Sequence, residues 1–238
     1  MDLLPFPTTP MAGKNYLYGM SIRVYSTEYI TPLPPQMLDP LLTTLPPDLS
    51  VKAQRFRRWQ DAYGSIFGRL LLAMAIKEQC RAFHFHQLQY TQFGKPWLPD
   101  GPHFNISHSA HRVVCAISDE RIGIDLEEIK QLQIDDFKDQ FSSEEWQAIT
   151  TTPNPLMAFY QGWTAKESLI KADGAGLHIP LSSVNILSDR PIRLNLHTWH
   201  LHPLTRWPGY ACHLASETPA DKVIIKEIPI NSLLTNHL

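Results

Sequence analysis

Two acidic segments about forty residues apart hold the residue types from which chemistry can be built. Ile122-Gly123-Ile124-Asp125-Leu126-Glu127 places two carboxylates two residues apart. Trp163-Thr164-Ala165-Lys166-Glu167-Ser168-Leu169-Ile170-Lys171 adds a third carboxylate and two lysines, so that three acids and two cations can meet in one divalent-metal and phosphate site. Along a strand, residues i and i+2 project to one face, so Asp125 and Glu127 can approach the same ion while Leu126 enters the opposite side. Mg²⁺ takes oxygen ligands in octahedral geometry and commonly shares its shell with substrate phosphates and water. Glu167, from a helix, would complete a metal set of Asp125, Glu127 and Glu167, the ion offsetting repulsion among the acids. The spacing also fits a solvated strand face beside a helix with surface charges, and Glu167 with Lys171, four apart, fits a plain salt bridge. Spacing alone does not choose among these.

Cations and polar groups suited to phosphate occur at several places. Lys52, Arg55, Arg57 and Arg58 lie before or in the first long helical segment, Lys95 follows Gly94, and Ser107-His108 precedes a strand. Such groups neutralise a terminal phosphate through charge-assisted hydrogen bonds. Arg57 and Arg58 serve equally well as solvent-facing charges. A Gly-rich Walker loop and a Gly-x-Gly-x-x-Gly motif are both absent, which removes the main support for nucleotide hydrolysis or dinucleotide binding.

The elements that must position these residues follow from periodicity. Residues 1–50 are proline-rich and read as extended coil wrapped on the body, apart from a strand-like Ile22-Arg23-Val24-Tyr25. Residues 51–79 repeat apolar positions at spacings near three or four, which predicts a helix, with Gly64 or Gly68 as the place where it could be interrupted. Ala82 to Gln89 alternates as a short strand, and Tyr90 to Pro96 forms a turn. Phe104 to Ser109 leads into the strand Arg112 to Ile117; after a polar turn at Asp119-Glu120-Arg121 comes the strand Ile122 to Leu126. Ser142 or Ser143 caps a helix with early glutamates, and Leu156 to Ile170 forms a longer helix leaving at Gly174-Ala175-Gly176. Strand candidates Val184 to Leu187, Arg193 to Trp199, Ala211 to Leu214 and Val223 to Glu227 complete the chain. The likeness of His111 to Ser118 and Gly209 to Ser216 suggests internal duplication.

Composition narrows the class. The chain has 238 residues, 43% of them hydrophobic, enough for one large domain or two smaller ones. A formal charge of -2 favours neither nucleic acid nor an anionic membrane as a general partner. No basic segment and apolar run opens the chain, and the Ile66 to Ile76 stretch is too short to span a bilayer, so a soluble cytoplasmic protein is expected. Cys80, Cys115 and Cys212 read as core thiols, and His84 with His86 as strand packing or surface rather than a metal site.

In order and spacing, Gly94-Lys95-Pro96, Phe104-Asn105-Ile106-Ser107-His108-Ser109 and the two acidic segments together resemble the Sfp-type 4'-phosphopantetheinyl transferases. That resemblance implies an α+β fold of two similar α/β halves related by a pseudo-twofold, each with short antiparallel strands packed on a longer helix. The halves would be residues 1–120, bearing phosphate-binding residues, and 121–238, bearing the acids, in a monomer with coenzyme A in the cleft. It implies transfer of the phosphopantetheine arm of coenzyme A to a serine of an apo acyl or peptidyl carrier protein, releasing adenosine 3',5'-bisphosphate. Asp125, Glu127 and Glu167 would surround Mg²⁺ and the pyrophosphate, with Glu127 as general base and Glu167 as its alternative. Lys171 would support the reacting pyrophosphate, Ser107 and His108 the 3'-phosphate, and Lys95, Lys52 and Arg55 the phosphate and adenylate end. Gly64 and Tyr90 depart from the family pattern, since relatives carry basic residues there, and Arg69 is a candidate substitute. Residues 130–141, with Leu132, Ile134 and Phe137, would form the carrier surface or else close the second half. A metal-dependent phosphoesterase and a non-catalytic coenzyme A or carrier-binding module are the competing classes.

Overall fold

The structure, a computed structural model, describes residues 21–79, 82–187 and 191–235. Strand β1 (Ser21–Glu28) is followed by helices α1 (Pro35–Thr44), α2 (Pro47–Gln54) and α3 (Trp59–Lys77). Short strands β2 (Gln89–Tyr90) and β3 (Pro96–Trp97) flank a turn, after which come β4 (His103–Ser109), β5 (Arg112–Ser118) and β6 (Ile122–Glu128). Helices α4 (Ser143–Thr150) and α5 (Pro155–Asp173) precede β7 (Ile192–Leu194), β8 (His197–Pro203), β9 (Tyr210–Ser216), β10 (Lys222–Glu227) and α6 (Ile230–Thr235).

The architecture is mixed α+β, with one four-stranded sheet ordered β10-β1-β5-β4 and another ordered β6-β9-β8-β7. Both sheets use the same local connection. β1 pairs antiparallel with β5, which pairs with β4; β6 pairs antiparallel with β9, which pairs with β8. The chain passes from β5 into β6 at residues 119–121, and its last strand returns to the first sheet, β10 lying parallel to β1.

Alternation along the strands sorts side chains into layers. Tyr25, Val113, Cys115 and Ile117 face α3 and join Phe67, Leu70 and Leu71 in one core, which Leu233 and Leu234 of α6 complete. Ile22, Val24, Val114 and Ala116 face the other way and meet Ile124, Leu126, Cys212 and Leu214 of the second sheet. The far side of that sheet packs on α5 through Leu169, Ala172, Trp199 and Ala215. Two helices thus enclose two face-packed sheets, each layer driven by removal of apolar side chains from water.

Several expectations change. The helix expected over 51–79 divides into α2 and α3 at residues 55–58, and α3 runs unbroken through Gly64 and Gly68. Those glycines instead allow close packing: a Cβ at Gly68 would lie 2.6 Å from Ile106 Cγ2. The proline-rich segment contains α1, which starts on Pro35 and tolerates Pro40 because Leu41 and Leu45 bury against α3. Ala82 to Gln89 is mostly irregular, with a 3-10 turn at Phe85–Gln87, and Val184 to Leu187 follows a 3-10 turn without forming a strand. Arg193 to Trp199 spans a hairpin between β7 and β8, turning at Asn195 with φ 53°. Buried Cys115 and Cys212 are free thiols; Cys80 and the start of the chain lie outside the described residues.

Candidate active site

Strands β4 and β6 lie side by side as edges of different sheets, and side chains stitch them. The amides of Ile124, Leu126 and Glu128 donate to Asn105 Oδ1, Ser107 Oγ and Ser109 Oγ at 2.9, 3.3 and 3.0 Å. Every second residue of β4 thus replaces a backbone carbonyl, satisfying amides that a strand edge would otherwise leave open. The same serines reach back to the acids: Ser107 Oγ donates to Asp125 Oδ1 at 3.0 Å, and Ser109 Oγ to Glu127 Oε2 at 2.8 Å. Asn-x-Ser-x-Ser along a strand was the legible signal for this ladder, yet Asn105 and Ser109 were absent from the sequence-derived site.

Asp125 is buried at 2% exposure on the face of β6 that meets α5. Its Oδ1 accepts from Lys171 Nζ at 2.5 Å, and Lys171 also donates to Ser107 Oγ at 3.1 Å. Asp125 Oδ2 is buried without a partner. Helix α5 comes this close because Gly123 has no side chain: a Cβ there would lie 2.1 Å from Ser168 O. Burial opposes the Lys171 charge, but Asp125, Glu167 and Glu127 hold its pKa above the ordinary lysine value. Glu127 and Glu167 are both half-buried. Burial and the charge of Asp125 push both carboxyls up, with Ser109 and Lys171 opposing at Glu127 and Lys171 alone at Glu167. Asp125, Glu127, Glu167 and Lys171 therefore form one electrostatic group. Among the described residues, no three His, Cys, Asp or Glu side chains are gathered tightly enough to hold an ion by themselves.

The remaining expected residues separate. Ser107 is buried and its hydroxyl is saturated, donating to Asp125 and accepting from Leu126 and Lys171. His108 lies against α3 where Gly64 leaves space, since a Cβ at Gly64 would sit 2.4 Å from His108 Cγ. Burial lowers the His108 pKa, with Asp61 opposing. That contact explains why residue 64 cannot carry a long side chain here. Arg69 is turned to its own helix, donating to Ser65 O at 2.9 Å. Lys95 Nζ donates to Lys171 O at 2.6 Å, Ala172 O at 2.9 Å and Ile122 O at 3.4 Å. Arg55 is exposed just past α2; Lys52 lies within α2, its side chain outside the described residues.

Lys166 does not join the site. It is fully buried on another face of α5, donating to Glu145 Oε2 at 2.7 Å and to the carbonyls of Leu181 and Val184 at 2.9 and 2.7 Å. Glu145 also closes the capping box with Ser142 that starts α4, and accepts from Ile186 N at 2.9 Å. Leu132, Ile134 and Phe137 are half-buried against the Phe141, Ile149 and Phe159 core.

An α+β chain that sets a carboxylate strand against a lysine-bearing helix brings together the acids and the cation that phosphoryl-group transfer uses. The model of the 4'-phosphopantetheinyl transferase superfamily matches residues 121–218, from the turn before β6 to just past β9. The chain is 32% identical over 170 residues to 4'-phosphopantetheinyl transferase Sfp of Bacillus subtilis (strain 168), covering 69% of this chain and 76% of that one. It is 29% identical over 219 residues to 4'-phosphopantetheinyl transferase ffp of Bacillus subtilis, covering 86% and 97%. It is also 31% identical over 157 residues to the human L-aminoadipate-semialdehyde dehydrogenase-phosphopantetheinyl transferase, covering 58% and 51%. The chain belongs to the Sfp-type 4'-phosphopantetheinyl transferase family, and phosphopantetheinyl transfer is the general activity that membership supports. Among the described residues, no helix is long and apolar enough to cross a membrane.

Proposed function

We propose that this protein is a Mg²⁺-dependent transferase that moves the 4'-phosphopantetheine arm of coenzyme A to a serine of an apo acyl or peptidyl carrier protein. The observation that carries the proposal is the pairing of Lys171 with buried Asp125 beside Glu127 and Glu167, on elements held together by the β4 side-chain ladder. The orphaned Asp125 Oδ2 and the upward-shifted carboxyls of Glu127 and Glu167 suit a further cation, and an all-oxygen donor set suits Mg²⁺. Asp125, Glu127 and Glu167 would hold it, and when bound it would neutralise charge on the pyrophosphate.

The chain's own residues account for the rest. Glu127, with Oε2 fixed by Ser109, presents its other oxygen to take the proton of the carrier serine; Glu167 is the alternative base. The serine oxygen bonds to the β-phosphorus of coenzyme A as the bond to the bridging oxygen breaks, and adenosine 3',5'-bisphosphate leaves. Lys171 stabilises the charge gathering on the phosphates. His108 is the residue assigned to the 3'-phosphate, with Arg55 and Lys52 at the adenylate end. Ser107, its hydroxyl saturated, is assigned to orienting Asp125 and Lys171. The shared connection of the two sheets, with β5 and β9 in equivalent places, supports two duplicated halves meeting near residue 120. The enzyme would act as a cytoplasmic monomer.

Intact mass spectrometry of an apo carrier tests this. A gain of about 340 Da, the phosphopantetheine increment, requiring both coenzyme A and Mg²⁺, is expected. Phosphate release without carrier modification would establish the phosphoesterase class instead; coenzyme A binding without turnover would establish a binding module.

A further inference from the structure

The last turn of α5 ends in an unusual way. A helix leaves its final four carbonyls without partners inside the helix, and neighbouring chain commonly supplies the missing amides. Here the following chain supplies one, as Gly174 N donates to Ile170 O at 2.9 Å. Two cations from outside the helix supply the others: Lys95 reaches the carbonyls of Lys171 and Ala172, and Arg121 Nη2 donates to Asp173 O at 2.8 Å. Cations at a helix C-terminus also complement its dipole.

We propose that Lys95 and Arg121 clamp the C-terminal turn of α5, and that Lys95 is a positioning residue which fixes Lys171 relative to Asp125. The inference rests on the transfer reaction proposed above. Lys95 is held in place by a built turn: Lys95 N donates to Thr91 Oγ1 at 3.1 Å, Gly94 N to Thr91 O at 2.9 Å, and Gly94 takes φ 81°. Phe93 on that turn packs on His178, 4.7 Å between ring centres, just beyond α5. The third Lys95 hydrogen bond goes to Ile122 O, which ties the helix end to the strand carrying Asp125. Burial and the nearby Arg121 charge pull the Lys95 pKa down to about 7, while the three carbonyl acceptors favour its ammonium form. With its N–H groups directed at those carbonyls, none is left for a phosphate oxygen. Arg121 is anchored in turn by the face of Trp199 at 5.8 Å. Lys171 stands in the turn the two cations hold. A small shift of that turn separates Lys171 from both Asp125 and Ser107.

Lys95→Met in the full chain removes the ammonium and keeps the aliphatic stem. The expected result with coenzyme A and apo carrier is a kcat lower by about 10- to 100-fold, the scale of a misplaced reacting group. The KM for coenzyme A should stay within about twofold and the preference over 3'-dephospho-coenzyme A should be kept. A raised KM with unchanged kcat, or loss of that preference, would make Lys95 a phosphate ligand and overturn the proposal. Hydrogen exchange tests the clamp without turnover: amides of residues 168–174 should exchange at least about fivefold faster in Lys95→Met, with the rest of α5 unchanged. Unchanged exchange there overturns the clamp even if the wild-type protein modifies no carrier, so the two failures are distinguishable. Should Lys95→Met not fold, Arg121→Lys, which draws the cation back from Asp173 O, must shift exchange and kcat the same way; if it shifts neither, the clamp is wrong.

Discussion

Ser109 and Glu127 form a two-way link between the sheets: Ser109 Oγ donates to Glu127 Oε2 at 2.8 Å and accepts from the amide next to it, Glu128 N, at 3.0 Å. One hydroxyl thus holds both a carboxylate and the strand that bears it. Because this bond favours the ionised form, it opposes the burial and Asp125 charge that push the Glu127 carboxyl up. Ser109→Ala is therefore expected to raise that pKa further and move the acidic limb of the kcat profile to higher pH, with a stability loss of about 1 kcal/mol. Ser109→Thr should restore the limb. Coincident pH-rate profiles for wild type and Ser109→Ala would remove Glu127 as the titrating base.

Lys166 lies five residues before Lys171, in the same motif, yet serves stability. Its ammonium is sealed with Glu145 under Phe141, whose ring centre is 5.0 Å away. Lys166→Met leaves a buried carboxylate held only by the amides of Ser142 and Ile186, and should cost about 3–5 kcal/mol, read from urea midpoints. Adding Glu145→Gln should recover part of that loss. The folded fraction of Lys166→Met should keep kcat near wild type; a large kcat loss in folded protein would return Lys166 to the site.

These two cases show what sequence conveys. The strand bearing Asp125 and Glu127 and the helix bearing Glu167 and Lys171 were legible, because period 2 and period 3.6 are local properties. Which face of α5 meets which neighbour is a tertiary property, and so Lys166 and Lys171 looked equivalent. Lys95 was legible as a cation but not as a helix clamp, since its acceptors are backbone carbonyls about 27 and 76 residues away. Helix α1 was hidden by prolines, whose local preference is outweighed by burial of Leu41 and the packing of Met37, Leu38 and Leu42 on the same core.

His108 owes its place to the missing side chain at Gly64. A methyl group there would lie 2.4 Å from His108 Cγ and 2.6 Å from Nδ1, so Gly64→Ala must displace the ring. If His108 meets the 3'-phosphate, Gly64→Ala and His108→Ala share one phenotype. The KM for coenzyme A should rise about 10- to 100-fold, the loss of one hydrogen bond to a charged group, while 3'-dephospho-coenzyme A is little affected. Competition between the two donors measures this directly. Unchanged donor preference in His108→Ala would exclude it from the 3'-phosphate.

Acid should loosen the packing of the β6-β9 sheet on α5 through His213. This histidine pairs across β9 and β6 with Asp125 and shares a 2.8 Å hydrogen bond with Thr164 of α5. Burial lowers its pKa from 6.5 to about 4, with Asp125 opposing. The unfolded chain therefore binds a proton that the native state refuses between these values. The sign follows from linkage: the contribution is fully present above about pH 6.5 and is lost as pH falls toward 4, amounting to about 3 kcal/mol from the size of the shift. Below pH 4 both states are protonated and the loss is complete. His213→Gln, which keeps a partner for Thr164 and cannot charge, should flatten this part of the stability curve. Urea midpoints at pH 7, 5.5 and 4 in metal-free buffer provide the comparison, and parallel slopes for the two proteins would assign the acid sensitivity to other groups.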